Sequence, residues 1–150
     1  MEEQILNNNV TVETFRESYG RSFKTLNLEW IEELFVVEEE DLKILSNPKS
    51  YVIDTGGEIF FALQEGQVIG TSAMVLVKPK IFELAKMAVD KNFQGKGVGR
   101  ILINASIEFA RKRSATEIFL VTNDKLKPAL NLYKSSGFNL RYADKKFKAD

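Results

Sequence analysis

Residues 94–100 read Gln-Gly-Lys-Gly-Val-Gly-Arg, and no other stretch limits the possible folds as much. The run Phe82 to Val89 before it is rich in strand formers. After it, apolar residues fall at 98, 101, 102, 105 and 109, the spacing of one helix face. The pattern predicts a strand, a glycine-rich loop over Lys91–Gly99, and a helix from Val98. That helix closes with Arg111, Lys112 and Arg113, cations suited to the negative end of its dipole. Alternating glycines let the backbone turn sharply and approach a ligand without Cβ atoms in the way. The first amides of a helix have no intrahelical partner and carry partial positive charge, so a loop of this kind suits phosphate or pyrophosphate. Lys96 and Arg100 add formal charge. The plainer alternative is a tight loop with no ligand.

Neither standard nucleotide motif is present. A Walker A loop ends in Gly-Lys-Ser/Thr, whereas Gly95-Lys96 is followed by Gly97; a dinucleotide fingerprint needs a further glycine where the chain continues with Arg100. The remaining chemistry is narrowed by two absences: the sequence has no cysteine and no histidine. Disulfides, thiolate nucleophiles, zinc fingers and a Ser-His-Asp triad are excluded, and no metal site is expected. Acid–base work must fall to Glu, Asp, Lys, Tyr, a terminus or water.

The rest of the chain orders itself around the loop. The segment Gln4 to Val10 is short and ambiguous. Thr11 or Thr14 is the expected cap of a helix running toward Phe23, with Glu17 at capping-box spacing from Thr14 and an interruption at Gly20. Leu28 to Leu45 is helix-rich and acidic, and Asn47-Pro48 ends it. Tyr51 to Ile53 precedes a turn at Asp54–Gly57. Ile59–Leu63 and Gln67–Val77 read as a hairpin about Glu65-Gly66. Glu117 to Thr122 reads as a buried strand. Pro128 opens a short helix carrying Leu132 and Tyr133, which Gly137 caps. Phe138 to Tyr142 reads as a last strand. The expected architecture is one α/β (α+β) domain over residues 1–150, with a mixed sheet flanked by helices.

Three stretches together resemble the GNAT superfamily, the Gcn5-related N-acetyltransferases. They are residues 82–99 (FELAKMAVDKNFQGKGVG), 117–123 (EIFLVTN) and 128–138 (PALNLYKSSGF). The family's Q/R-x-x-G-x-G/A signature is met by Gln94, Gly97 and Gly99. The later alanine, LY and GF pattern is met by Ala129, Leu132-Tyr133 and Gly137-Phe138.

The resemblance implies a mostly antiparallel central sheet, acetyl-CoA as co-substrate and direct transfer of its acetyl group to an amine. Backbone amides over Gln94, Gly95, Lys96, Gly97, Val98, Gly99 and Arg100 would hold the pyrophosphate. The strand at Met87, Ala88 and Val89 would pair with the pantetheine arm, and Asn123 would contact the cofactor. Tyr133 would protonate the departing thiolate. Glu83 is the candidate base, with an exposed strand carboxylate as its alternative; Lys86 reads either as a surface charge or as a phosphate neighbour.

The acceptor is expected to be a small-molecule or peptide amine. A free amine with a pKa near about 10 must lose a proton before it attacks. Residues 1–75 hold 14 acidic and 5 basic residues and residues 76–150 hold 7 and 16, so a net charge of zero conceals halves of −9 and +9. The acidic half carries the helices that in relatives face the acceptor. Two other functions compete: a non-catalytic acyl-CoA-binding regulatory module, and a nucleic-acid-binding domain using the basic half. Against the latter, the basic residues are scattered and the pI is 6.4. No nucleic-acid partner and no membrane association are expected, since no window approaches about 18 unbroken apolar residues. The opening MEEQILNNN lacks the regions of a signal peptide, so a cytoplasmic protein is expected. Few residues follow Phe138, so a final strand is either very short or supplied by a partner chain, leaving monomer and homodimer both open.

Overall fold

The strand over Glu58–Gln64 explains the layering. Ile59, Phe61 and Leu63 point to one face of the sheet and Phe60 and Ala62 to the other, and all five are buried. A continuous apolar run buried on both sides needs helices on both sides. The computed structural model of the chain describes residues 9–122 and 127–138, with backbone alone at 127–130.

Five strands lie in the order β1 (Val10–Thr14), β2 (Glu58–Gln64), β3 (Gln67–Lys78), β4 (Ile81–Val89) and β5 (Glu117–Phe119). The first four are antiparallel in sequence, and β5 joins β4 in parallel. Helices α1 (Gly20–Leu34) and α2 (Glu39–Ser46) cover one face, where Phe23, Ile31, Leu45 and Val52 pack on Ile59, Phe61 and Ala73. Helix α3 (Val98–Lys112) is the crossover from β4 to β5. It covers the other face with α4 (Lys127–Ser135), packing Val98, Leu102, Ile103 and Ala110 against Phe60, Ile69, Met74 and Phe82. This is the expected mixed, mostly antiparallel sheet between helices.

Two expectations are corrected. Thr11 and Thr14 do not cap a helix: they belong to β1, which pairs residue for residue with β2 from Val10↔Gln64 to Thr14↔Phe60. Ladder bonds to a neighbouring strand outweigh a local capping pattern here. Gly20 does not interrupt a helix but opens α1, after a single 3₁₀ turn at Glu17–Tyr19. The helix-rich acidic segment holds the end of α1 and nearly all of α2, with a break at residues 35–38. Glu38 restarts it through a reciprocal capping box, in which its side chain accepts from the Asp41 N–H and Asp41 Oδ2 accepts from the Glu38 N–H at 3.0 Å. The proposed last strand, Phe138 to Tyr142, lies beyond the described residues from position 139 on.

Candidate active site

Strand β5 pairs along all three of its residues with the beginning of β4. The parallel ladder covers Ile81↔Glu117, Phe82↔Ile118 and Glu83↔Phe119, and stops there. Beyond it, β4 runs on to Val89 and, among the described residues, pairs there only with β3. Among the described residues a gap therefore opens in the sheet beyond Glu83, with Met87, Ala88 and Val89 along one arm. Residues 120–122 form the start of the other arm. There the Thr122 hydroxyl is buried with no hydrogen-bond partner among the described residues. Asn123, the expected cofactor contact that follows it, lies outside the described residues.

A bulge interrupts β4 inside this gap. Ala73 faces Lys86 and Met74 faces Leu84, which leaves Ala85 as an extra residue. Alternation then settles the faces. Phe82 and Leu84 are core residues on the α3 side, so Glu83 between them points to the α1/α2 side, opposite Val75. Lys86, opposite Ala73, points the same way. Met87, opposite Ser72, returns to the α3 side. No residue of the sequence marks this bulge in advance, since Ala85 has no unusual chemistry.

The wide end of the gap meets the glycine loop. Gly95 and Gly97 have φ of +76° and +91°, left-handed conformations that side chains strain to adopt. Gly97 is the N-cap of α3, and the first backbone bond of the helix is Ile101 N–H to Gly97 O at 3.2 Å. The amides of Val98, Gly99 and Arg100 therefore precede the intrahelical ladder and are available to an anion. Val98 offers only its backbone, because its side chain is core. Gln94 Nε2 donates to the Val89 carbonyl at 3.1 Å, which ties the loop back onto the end of β4. Gly99 has a packing role: a Cβ there would come within 2.8 Å of Leu132 Cδ2, so α4 sits directly on the first turn of α3. The cation of Arg100 is turned to α4, donating to Ser135 Oγ at 2.7 Å, while Lys96 has no ion-pair partner among the described residues.

The residue after Leu132 is Tyr133. It is 9% exposed, groups with Phe82 and Leu84 on the α3 face, and meets Phe138 edge-on at 6.3 Å between ring centroids. Burial disfavours the phenolate and raises its pKa above the ordinary value of 10.0. Lys86 is corrected: it is neither a surface charge nor a phosphate neighbour, but donates to Asp41 Oδ1 at 2.6 Å. No group of His, Cys, Asp and Glu among the described residues is arranged to hold a metal ion.

Comparison with known proteins identifies the family and the fold. The sequence model of the "Acetyltransferase (GNAT) family" matches residues 12–138. N-acetyltransferase 8 of Rattus norvegicus is 33% identical over 95 residues, which are 60% of this chain and 43% of the rat protein; the chain thus spans less than half of that relative. The uncharacterized N-acetyltransferase YvbK of Bacillus subtilis (strain 168) is 29% identical over 110 residues, 71% of each chain. Among solved structures, a GNAT-family acetyltransferase from Staphylococcus aureus Mu50 shares the fold with a TM-score of 0.80 and 22% identity, over 87% of this chain and 83% of that one.

Proposed function

The chain belongs to the GNAT acetyltransferase family, and from that premise we propose that it is an acetyl-CoA-dependent N-acetyltransferase acting on a primary amine of a small molecule or peptide. The observation that carries this reading is the gap between β4 and β5. Its arm at Met87–Val89 is a strand edge with no partner strand among the described residues, and the chain runs from it through the glycine loop to the amides of Val98–Arg100. An extended chain ending in a pyrophosphate matches both: amide groups along the open edge, anionic oxygens at the helix start. The orphaned Thr122 hydroxyl supplies a further polar contact. Asn123 remains part of the proposed cofactor site.

Bound there, acetyl-CoA supplies an acetyl group activated as a thioester. The chain's own residues divide the proton work between the two faces of the sheet. Glu83, at the start of the gap on the α1/α2 side, accepts the proton that an ammonium acceptor must lose before it attacks. Tyr133, on the α3 side, holds its proton through the neutral range because burial raises its pKa, and offers that proton at its hydroxyl to a leaving sulfur. A backbone N–H of β4 near the bulge donates to the developing oxyanion. No side chain needs to be acylated, which suits a sequence without cysteine or histidine. The reading takes residues 1–150 as one such domain, working as a monomer or homodimer in the cytoplasm, without a nucleic-acid or membrane partner. No helix among the described residues is long and apolar enough to cross a membrane.

The test is release of CoA thiol from acetyl-CoA over a panel of amines that includes spermidine, L-aspartate, a peptide amine and an aminoglycoside. Turnover with one of them, reduced about 100-fold in Tyr133→Phe while acetyl-CoA still binds, is the expected result. Tight acetyl-CoA binding with no turnover on any amine is the result for a regulatory module. Failure to bind acetyl-CoA at all overturns both.

A further inference from the structure

The helices of the acidic half meet β4 through one half-buried ion pair. Lys86 Nζ and Asp41 Oδ1 are 2.6 Å apart, and their side chains are only 15% and 20% exposed. The Arg16–Glu13, Lys49–Asp54, Lys91–Glu33 and Arg111–Glu108 pairs each have both side chains at least 34% exposed, where solvent screens the attraction. The Lys91–Glu33 pair also joins α1 to the end of β4, but at 59% and 54% exposure it contributes little. Asp41 serves two functions with its two oxygens. Oδ2 closes the capping box that starts α2, and Oδ1 takes the Lys86 ammonium. The corner between α1 and α2 is thereby attached to β4 at the residue immediately after the Ala85 bulge, on the face that carries Glu83.

We propose that Asp41–Lys86 is a specificity-determining strut. It holds the α1–α2 corner at a set position over the Glu83 face and so governs how tightly the acceptor amine is held, without bearing on the acetyl donor. Both are positioning residues, and the proposal rests on the acetyltransferase reading above. Removing one partner of a half-buried pair leaves the other charge uncompensated, so the corner shifts rather than relaxing in place. Removing both leaves no stranded charge.

The full chain is compared with Lys86→Met, Asp41→Asn, the Asp41→Asn/Lys86→Met double variant and the conservative Lys86→Arg. Three quantities are read: steady-state constants for whichever of spermidine, L-aspartate or sisomicin is best turned over, the acetyl-CoA Kd by calorimetry, and amide hydrogen exchange over residues 39–46. Each single variant is expected to raise the acceptor KM about tenfold with kcat within about threefold. Exchange over residues 39–46 should speed up about tenfold, and the acetyl-CoA Kd should stay within about twofold. Lys86→Arg keeps the charge and should stay near the parent, and the double variant should be no worse than either single. An unchanged acceptor KM in both singles overturns the proposal, as does an acetyl-CoA Kd that weakens in parallel. If the parent chain binds acetyl-CoA but turns over none of these three amines and no peptide amine either, the acetyltransferase reading fails, and the specificity role fails with it. Turnover with an unmoved KM overturns the strut alone.

Discussion

Tyr133 and Gly97 carry the two sharpest expectations at the scale of single residues. The Tyr133 phenol has a raised pKa because burial penalises its charged form. A group bound more tightly to its proton in the folded state contributes stability that is fully present below the unfolded value of about 10 and is lost as pH rises through the folded one. As a proton donor it therefore stays loaded across the neutral range. The kcat–pH profile should show no falling limb from this group below about pH 10. A limb near neutrality that disappears in Tyr133→Phe would contradict the assignment. Gly97, at φ +91°, and Gly99, beside Leu132, make opposite demands on substitution. Alanine at 97 must hold a strained backbone at a cost of order 1–3 kcal/mol, and calorimetry should show acetyl-CoA bound about tenfold more weakly or worse. Alanine at 99 meets only the movable end of a leucine side chain, so Gly99→Ala should be the milder variant in the same titration. The residue types of the site were readable along the chain, because Gln94, the glycines and Tyr133 sit at short, fixed spacings. Asp41–Lys86 was not, because its partners are 45 positions apart and nothing near either residue points to the other.

Among the elements, α3 links the site to the core. Its buried residues are Val98, Leu102, Ile103, Ser106 and Ala110, a stripe turned slightly from the apolar positions 98, 101, 102, 105 and 109 read from the sequence, and this stripe positions the helix N-terminus that faces the gap. Leu102 is fully buried, so Leu102→Ala should destabilise the chain by about 2–5 kcal/mol, read as a lower denaturant midpoint. Because that substitution acts through the core, acetyl-CoA affinity per folded molecule should change far less than in Gly97→Ala. Elements with strong periodicity were legible: α3, β2, β3 and β4 lie where the apolar pattern puts them. Strand β1 was not legible. Thr14 and Glu17 satisfy a local helix-start pattern, and only the presence of β2 alongside converts Val10–Thr14 to strand.

Over the whole molecule, the halves of −9 and +9 do not form two separate lobes. Strands β2 and β3 come from the acidic half, yet they form the middle of the sheet on which the basic half's α3 packs. Charges of opposite sign cross the seam at Lys86–Asp41 and Lys91–Glu33. Exposed cations near the loop are screened by salt, and the half-buried strut is screened much less. Raising ionic strength from about 0.05 to 0.5 M should therefore weaken acetyl-CoA binding several-fold, while hydrogen exchange over residues 39–46 stays nearly unchanged. Equal salt sensitivity in both measurements would show that the strut is solvated. The sequence by itself determined the family, the order of the sheet's strong strands, and the loop–helix junction, since each depends on residues close together in the chain. Only the tertiary structure decided where β4 parts from β5, which face Glu83 takes and what Lys86 pairs with. Those outcomes depend on strand register, a one-residue bulge and contacts across tens of positions, and local sequence encodes none of them.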